Sequence, residues 1–272
     1  MFRISDILKK QKDESKTIQE DVKDTRKEIS GNLSPLIDKE KQEVNHTEAI
    51  QLYNEAYSKA KQFHSVNLQE RPNLIPEIKN LAERIIKSLE TGNEELLKLC
   101  FLDYPKPEDY LQYHVINVCI ISVYMGISLS YEHTSLIELG TAAFIHDNAL
   151  TEYTDIINRP KVLDRSEFDK IKVHTEESFE AIKKSARDIG HDALEAVRQE
   201  HERLDGSGYP IGIKGAQVNR FSQIIGLADV YEALIHNRPH RGKLTPLEAL
   251  KTILNQRSAF EPEMIKLLVD KI

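Results

Sequence analysis

The sequence predicts an all-α fold. Three observations predict it. Apolar residues recur at three-four spacing from residue 46 onward, no period-2 alternation of any length occurs, and helix start and stop signals fall where the apolar runs begin and end. At 272 residues the chain is long enough for one large domain or two small ones. Apolar residues make up 40% and charged residues 30%, as in an ordinary soluble protein, and the formal net charge is -7. That charge argues against a general nucleic-acid binder, which needs a basic surface for phosphates, so no DNA partner is expected. Cys100 and Cys119 lie in apolar, helix-like surroundings with no CxxC, so they read as reduced core thiols and exclude a cysteine zinc site. The start, Met1-Phe2-Arg3-Ile4-Ser5-Asp6, has no apolar signal core. The longest apolar run, Val115 to Leu129, falls short of the ~20 residues that span a bilayer. No membrane span and a cytoplasmic protein are expected.

Residues 1–45 are dominated by Lys, Asp, Glu, Gln and Ser, which predicts a charged, flexible tail, broken at Leu33-Ser34-Pro35. Within it Phe2, Ile4, Ile7 and Leu8 could form one short amphipathic turn. A helical subdomain is expected over 46–104. Ala49, Ile50, Tyr53, Ala56 and Tyr57 mark its first helix, and Ile78, Leu81, Ile85, Ile86 and Leu89 mark the second, after a turn at Arg71-Pro72-Asn73. Thr91-Gly92-Asn93 stops that second helix, glycine being the usual residue past a last turn. His64 stands alone and is expected at the surface.

Asp103-Tyr104-Pro105-Lys106-Pro107 is a linker into the larger region, 105–272. The run from Tyr110 to Leu129 is apolar on nearly every face, the mark of a helix buried all round. A helix over Ser135 to His146 follows and ends in His146-Asp147. Ser166 to Ala186 predicts one helix, capped by Ser166 with Asp169, whose inward face is Phe168, Ile171, His174, Ser178 and Ile182. Leu194, Val197 and His201 share a helical face that runs into a loop with two glycines and a proline. Phe221 to Ile235 is another apolar helix, with Asp229 in its middle. Thr245-Pro246-Leu247-Glu248 supplies a threonine N-cap, a proline at N1 and a glutamate at N3. Phe260-Glu261-Pro262-Glu263 begins the last helix.

Five of these helices carry an ionisable residue on an apolar face or end: His114, His146 with Asp147, His174, His201 and Asp229. A buried carboxylate without partners costs several kcal/mol, so such an Asp is normally paired or metal-bound. Imidazole with carboxylate suits Fe, Mn or Zn rather than Ca. Two Asp and four His suffice for two metals with one bridging carboxylate, and two metals ~3.5–4 Å apart are the standard device for hydrolysing phosphate esters.

The strings that carry these residues resemble the HD-GYP family, a branch of the HD-domain metal-dependent phosphohydrolases. They are His146-Asp147, His174, His201-Glu202-Arg203-Leu204-Asp205-Gly206-Ser207-Gly208-Tyr209-Pro210, Asp229-Val230-Tyr231-Glu232-Ala233-Leu234 and Arg238-Pro239-His240-Arg241. The resemblance covers about 105–272. It implies hydrolysis of the bacterial messenger cyclic di-GMP, or a related cyclic dinucleotide, in signal transduction. It implies that His114, His146, Asp147 and Asp229 hold one metal and that Asp147 bridges to a second, held by His174 and His201. His146 and Asp147 would be the catalytic dyad, and two divalent ions, Fe or Mn, the cofactors. Arg238 and Arg241 would contact substrate phosphate, for which a fork of donors is suited. Gly208 and Tyr209 would shape the rim of the site, and the Gly208-Tyr209-Pro210 loop could meet a protein partner.

The chain departs from the family at three positions. The family's His-Asp-x-Gly-Lys string is His146-Asp147-Asn148-Ala149-Leu150, so leucine stands where a lysine would face the phosphate. Losing one such cation costs ~3 kcal/mol, or ~100-fold in rate. Glu200 stands where the family has a second histidine before His201. Glutamate can ligate and favours a harder ion, while its charge makes water at the centre a weaker acid. Tyr110 occupies the place of the glutamate that marks members with a third metal, so at most two metals are expected. Two functions therefore follow: a cyclic di-GMP phosphodiesterase of reduced activity, or a catalytically inactive HD-GYP module that binds a cyclic dinucleotide or a partner protein. A hydrolase of another nucleotide is a third, disfavoured by the Gly208-Tyr209-Pro210 loop.

Overall fold

A computed structural model describes residues 34–272 apart from 93 and 186–188, and the expected turn at Phe2–Leu8 lies outside them. By its contacts the chain divides into two units, 1–45 and 46–272, and the second carries the candidate site. Among the described residues there is no strand, so the all-α prediction holds.

The N-terminal helices are α1 (Ser34–Ser65), α2 (Ile75–Glu90) and α3 (Glu94–Leu99). Helix α1 begins at Ser34 with Pro35 next, inside the stretch expected to be a tail. Proline suits a first helical turn, where its missing N–H is not needed. Helix α2 buries Ile78, Leu81, Ile85, Ile86 and Leu89, the face its spacing predicts, and ends before Gly92 at φ +76°.

Helix α4 (Tyr110–Ser128) is the axis of the fold, buried at every residue except Gln112, Tyr124, Ile127 and Ser128. Ile116, Ile120 and Ile121 are wholly enclosed, and each such side chain contributes ~1.5–3 kcal/mol. With its lead-in the segment runs from Pro107 to Ser128, 22 residues, long and apolar enough to cross a membrane, which the run length alone did not suggest. In this fold 78% of its 18-residue apolar stretch is buried inside the protein, as a core helix. Helix α5 (His133–Ile145) lies against it. A Cβ on Gly140 would come within 2.9 Å of Val123 Cγ2, and one on Gly126 within 2.8 Å of Leu136 and Leu139 methyls, so these two glycines set how closely the pair packs.

After the short α6 (Thr154–Ile157), the single helix expected over 166–186 is two: α7 (Arg165–Ile171) and α8 (His174–Ser185). The cap also falls earlier than expected, at Asp164 instead of Ser166. Asp164 accepts from Glu167 N–H at 2.9 Å and the Glu167 carboxylate accepts from Asp164 N–H, which is a complete capping box. The break at Lys172 and Val173 turns Phe168 outward, 42% exposed, and makes His174 the first residue of α8. Helices α9 (His191–Gln199), α10 (Arg220–Ile235), α11 (Pro246–Asn255) and α12 (Pro262–Lys271) complete the unit. Asn219 caps α10, and Thr245 with Glu248 forms the predicted box at α11.

His64 is not a surface residue: both ring nitrogens are buried without a hydrogen-bond partner, and burial pushes its pKa down to about 3. It sits beside Arg71, which is 2% exposed. Arg71 donates to the carbonyls of Val66 at 2.9 Å, His64 at 3.4 Å and Asn148, and pairs with Glu152 at 3.2 Å. The N-terminal helices are thus bonded to the loop that follows His146-Asp147.

Candidate metal centre

Helix ends deliver most of the site. His114 lies in the second turn of α4. His146 and Asp147 follow the last residue of α5, His174 opens α8, and Glu200 and His201 follow α9. Asp229 alone comes from mid-helix, on α10. Two contacts at the Glu200 carbonyl fix the end of α9. A Cβ on Gly226 of α10 would fall 2.3 Å from the Glu200 carbonyl oxygen, and that oxygen accepts from Arg203 Nη1 at 2.9 Å.

The seven predicted ligands all converge, in two groups: His114, His146 and Asp229, and Asp147, His174, Glu200 and His201. Asp147 faces both groups. Its Oδ2 lies 3.5 Å from His114 Nε2 and 3.3 Å from His146 Nε2, while its Oδ1 lies 3.3 Å from His174 Nε2. Asp229 Oδ1 is 3.2 Å from His114 Nε2, and its Oδ2 is 3.9 Å from His201 Nδ1. Glu200 Oε2 is 3.5 Å from His146 Nε2, and its Oε1 is 3.6 Å from His174 Nε2 and 4.0 Å from His201 Nε2.

These donors fit metal ions. His146 Nε2, His174 Nε2 and both Glu200 oxygens are buried with no hydrogen-bond partner. Each such orphan costs ~1–3 kcal/mol, more when charged, and a cation among them would satisfy all four. The histidines are also oriented for it. Nδ1 donates to the Ala143 carbonyl in His146 (2.8 Å), to the Ile171 carbonyl in His174 (2.7 Å) and to Glu232 Oε2 in His114 (2.5 Å). That fixes the tautomer and leaves each Nε2 lone pair turned to the cluster, the usual outer-shell arrangement of ligating histidines.

The electrostatics say the same. Burial alone would lower the histidine pKa values. The Glu200 and Asp147 charges outweigh it and raise His146 to about 9, and the same two carboxylates raise His174 to about 10. His114 is also raised, burial being outweighed by Glu232. Asp147 and Asp229 are held below the usual carboxylate range, against burial, by the surrounding histidines. The cluster therefore seeks positive charge, as protons or as metal.

Glu232 lies inside one of the motif strings, but its sequence assigns it no role. It is wholly buried. Besides His114 it accepts from Tyr104, from Asn117 Nδ2 at 3.0 Å and from Arg238 Nη2 at 2.9 Å, and His236 Nδ1 stands 3.0 Å from its Oε1. Its position three residues after Asp229 on an apolar helix was the available signal.

A pocket of about 250 Å³ opens onto His114, Asp147, His174, His201 and Asp229. Arg238 and Arg241 both line it, brought together by a tight turn in which each backbone bonds the other's. Arg238 is held between Glu232 and the Tyr110 ring, 5.1 Å away. Arg241 instead donates to the carbonyls of Ala233 and Leu234 at the end of α10 and to that of its neighbour Gly242. Leu150 also lines it, with the apolar Ile157, Leu163 and Phe168, and no lysine lines the pocket among the described residues. Tyr209 lies over His201, ring centroids 4.6 Å apart. Gly208 does not line this pocket. A Cβ there would lie 2.4 Å from the His201 carbonyl oxygen, so glycine is what lets the loop close onto His201. Glu202 holds the same loop by accepting from Ile211 N–H at 2.6 Å and Gly212 N–H at 3.0 Å.

An HD domain family profile matches residues 108–264. A cyclic di-GMP phosphodiesterase of Pseudomonas aeruginosa is 24% identical over 194 residues, 71% of this chain and 46% of that protein. The cyclic di-GMP phosphodiesterase response regulator RpfG of Xanthomonas campestris is 34% identical over 146 residues, 53% of this chain and 38% of that protein. The 3'3'-cGAMP-specific phosphodiesterase 1 of Vibrio cholerae is 34% identical over 116 residues, 42% of this chain and 26% of that protein. The match thus spans less than half the length of each of these relatives. Among solved structures, an HDG"Y"P protein from Bdellovibrio bacteriovorus superposes with a TM-score of 0.68 at 15% identity, over 83% of this chain and 72% of that one, which is a likeness of fold.

Proposed function

The chain belongs to the HD domain family, and on that premise we propose that it is a metal-dependent phosphodiesterase of the HD-GYP type that hydrolyses a cyclic dinucleotide inside the cell, cyclic di-GMP first among them. One observation carries this: seven His, Asp and Glu side chains converge beneath a pocket that Arg238 and Arg241 also line. The relatives named for cyclic di-GMP and cGAMP support the substrate class.

Water adds across a phosphodiester P–O bond, and the departing sugar oxygen takes the proton. Two divalent ions, Fe or Mn, would supply Lewis acidity and a nucleophile from water at neutral pH. His114, His146, Asp147 and Asp229 would hold one, and His174, Glu200 and His201 the other, with Asp147 between them. Arg238, already oriented by Glu232 and Tyr110, offers donors to a phosphate oxygen. Arg241 would first have to give up helix-end carbonyls. Tyr209 closes one side over His201 and limits water there. The Leu150 wall offers no charge to the phosphate, so turnover is expected to be slow, by ~100-fold for one missing cation.

A second reading, a binding module without turnover, is favoured by the same Leu150. Exposed Val173 and Ile211 beside the Gly208-Tyr209-Pro210 loop would suit a protein partner. Metal-dependent formation of product from cyclic di-GMP separates the two.

A further inference from the structure

Glu200 is the one expected ligand whose two oxygens serve different halves of the centre while neither has a hydrogen-bond partner. Oε2 lies nearest His146, of the first group, at 3.5 Å. Oε1 lies nearest His174, of the second, at 3.6 Å, with His201 at 4.0 Å. Asp147 is divided in the same way, Oδ2 toward His114 and His146, and Oδ1 toward His174. The two carboxylates therefore face the same pair of histidines, His146 and His174.

Glu200 is wholly buried. A carboxylate used at one metal through one oxygen would normally give its other oxygen a donor, because an unpartnered buried acceptor is costly. Neither Glu200 oxygen has one. Its backbone is fixed from behind by Arg203 and by the close pass of Gly226, so the side chain cannot retreat as a unit.

We propose that Glu200 is a second bridging carboxylate, so that the two metals are joined by Asp147 and Glu200 together. This rests on the two-metal reading of the site and deepens it. A histidine in the same place could ligate only one metal, so the departure at position 200 changes the kind of centre rather than simply weakening one half. With Asp229 the site then sets three carboxylates against the four positive charges of two divalent ions. The net charge left is lower than with histidine at 200, which favours harder, oxygen-seeking ions such as Mn(II).

The test is Mn(II) titration of the full chain, followed by electron paramagnetic resonance, comparing wild type with Glu200→Gln and Glu200→His. The expected wild-type result is two Mn(II) per chain with an exchange-coupled signal. In Glu200→Gln the weaker site should lose at least ~10-fold in affinity, since loss of even an outer-shell partner costs roughly 10–100-fold, and the coupled signal should give way to that of isolated Mn(II). Glu200→His should keep two sites but show a changed coupling, because histidine can replace a terminal ligand and not a bridge. Unchanged affinities and coupling in both variants would overturn the proposal. So would a wild type that binds one Mn(II), which would end the two-metal reading as well. Two coupled Mn(II) without hydrolysis of cyclic di-GMP would sink the phosphodiesterase reading and leave the bridge standing. Should Glu200→Gln not fold, Glu200→Asp is read instead: shorter by one methylene, it cannot reach both halves, and retained wild-type coupling counts against the bridge.

Discussion

His114 Nδ1 lies 2.5 Å from Glu232 Oε2, and that oxygen also accepts from Arg238 at 2.9 Å. An expected metal ligand and an expected phosphate contact are thus held by one buried carboxylate. Glu232→Gln should lower Mn(II) affinity by ~10–100-fold, the usual cost of an outer-shell partner. It should also weaken substrate binding through a misplaced Arg238. Metal titration and KM read the two effects separately, and an unchanged metal affinity would show that Glu232 only fills the core.

The metal-free protein should become less stable as pH rises. His146 and His174 have folded-state pKa values near 9 and 10, above the ordinary 6.5, because Asp147 and Glu200 outweigh burial. Stability from their bound protons is fully present below about pH 6.5 and is lost as pH climbs through 9 to 10. Chelated protein should lose at least about 2 kcal/mol between pH 6 and pH 9.5, roughly 4–8 °C in Tm for a domain of this size. Mn(II) supplies the missing charge, so loaded protein should lose much less. Equal pH slopes with and without metal would show that these histidines do not bind it.

Arg71 is predicted to support the centre from the N-terminal helices. It bonds the carbonyl of Asn148, the residue after Asp147, and is almost wholly buried. Arg71→Met leaves that carbonyl and those of Val66 and His64 without their donor, at ~1–3 kcal/mol for each left unsatisfied. A loss of about 3 kcal/mol in a denaturant melt is expected, together with weaker Mn(II) binding. A variant as stable as wild type would mean that the contact is dispensable.

Leu150→Lys should raise hydrolysis of cyclic di-GMP. The side chain lines the same pocket as Arg238, where a cation could meet the phosphate. If the rest of the centre is assembled the gain should approach ~100-fold in kcat. No gain would place the limitation in the metals themselves.

The helices were legible because burial in this fold follows periodicity: Ile78, Leu81, Ile85, Ile86 and Leu89 are buried on one face of α2, and α4 is buried all round. Six of the seven candidate ligands, His114, His146, Asp147, His174, His201 and Asp229, were legible because a buried His or Asp on an apolar helix face or end is costly unless something pairs with it, whereas Glu200 was read only from its place beside His201 in the family's pattern. What was not legible depended on long-range contacts. Nothing local shows that Tyr104, Asn117 and His114 converge on Glu232. Nothing local shows that Arg71 crosses to Asn148, or that His64 is enclosed beside it. The break before His174 was missed because Ile171, His174 and Ser178 keep helical spacing across it, while Asp164 competes successfully with Ser166 for the cap.

The most direct measurement is turnover of cyclic di-GMP by the purified full chain, prepared anaerobically, loaded with Fe(II) or Mn(II), and compared with Asp147→Ala. Slow, metal-dependent formation of the linear dinucleotide or GMP by the wild type, with none from the variant that lacks the shared carboxylate, is the predicted result. No product from a wild type carrying two metals would contradict the account and leave a module that binds without hydrolysing.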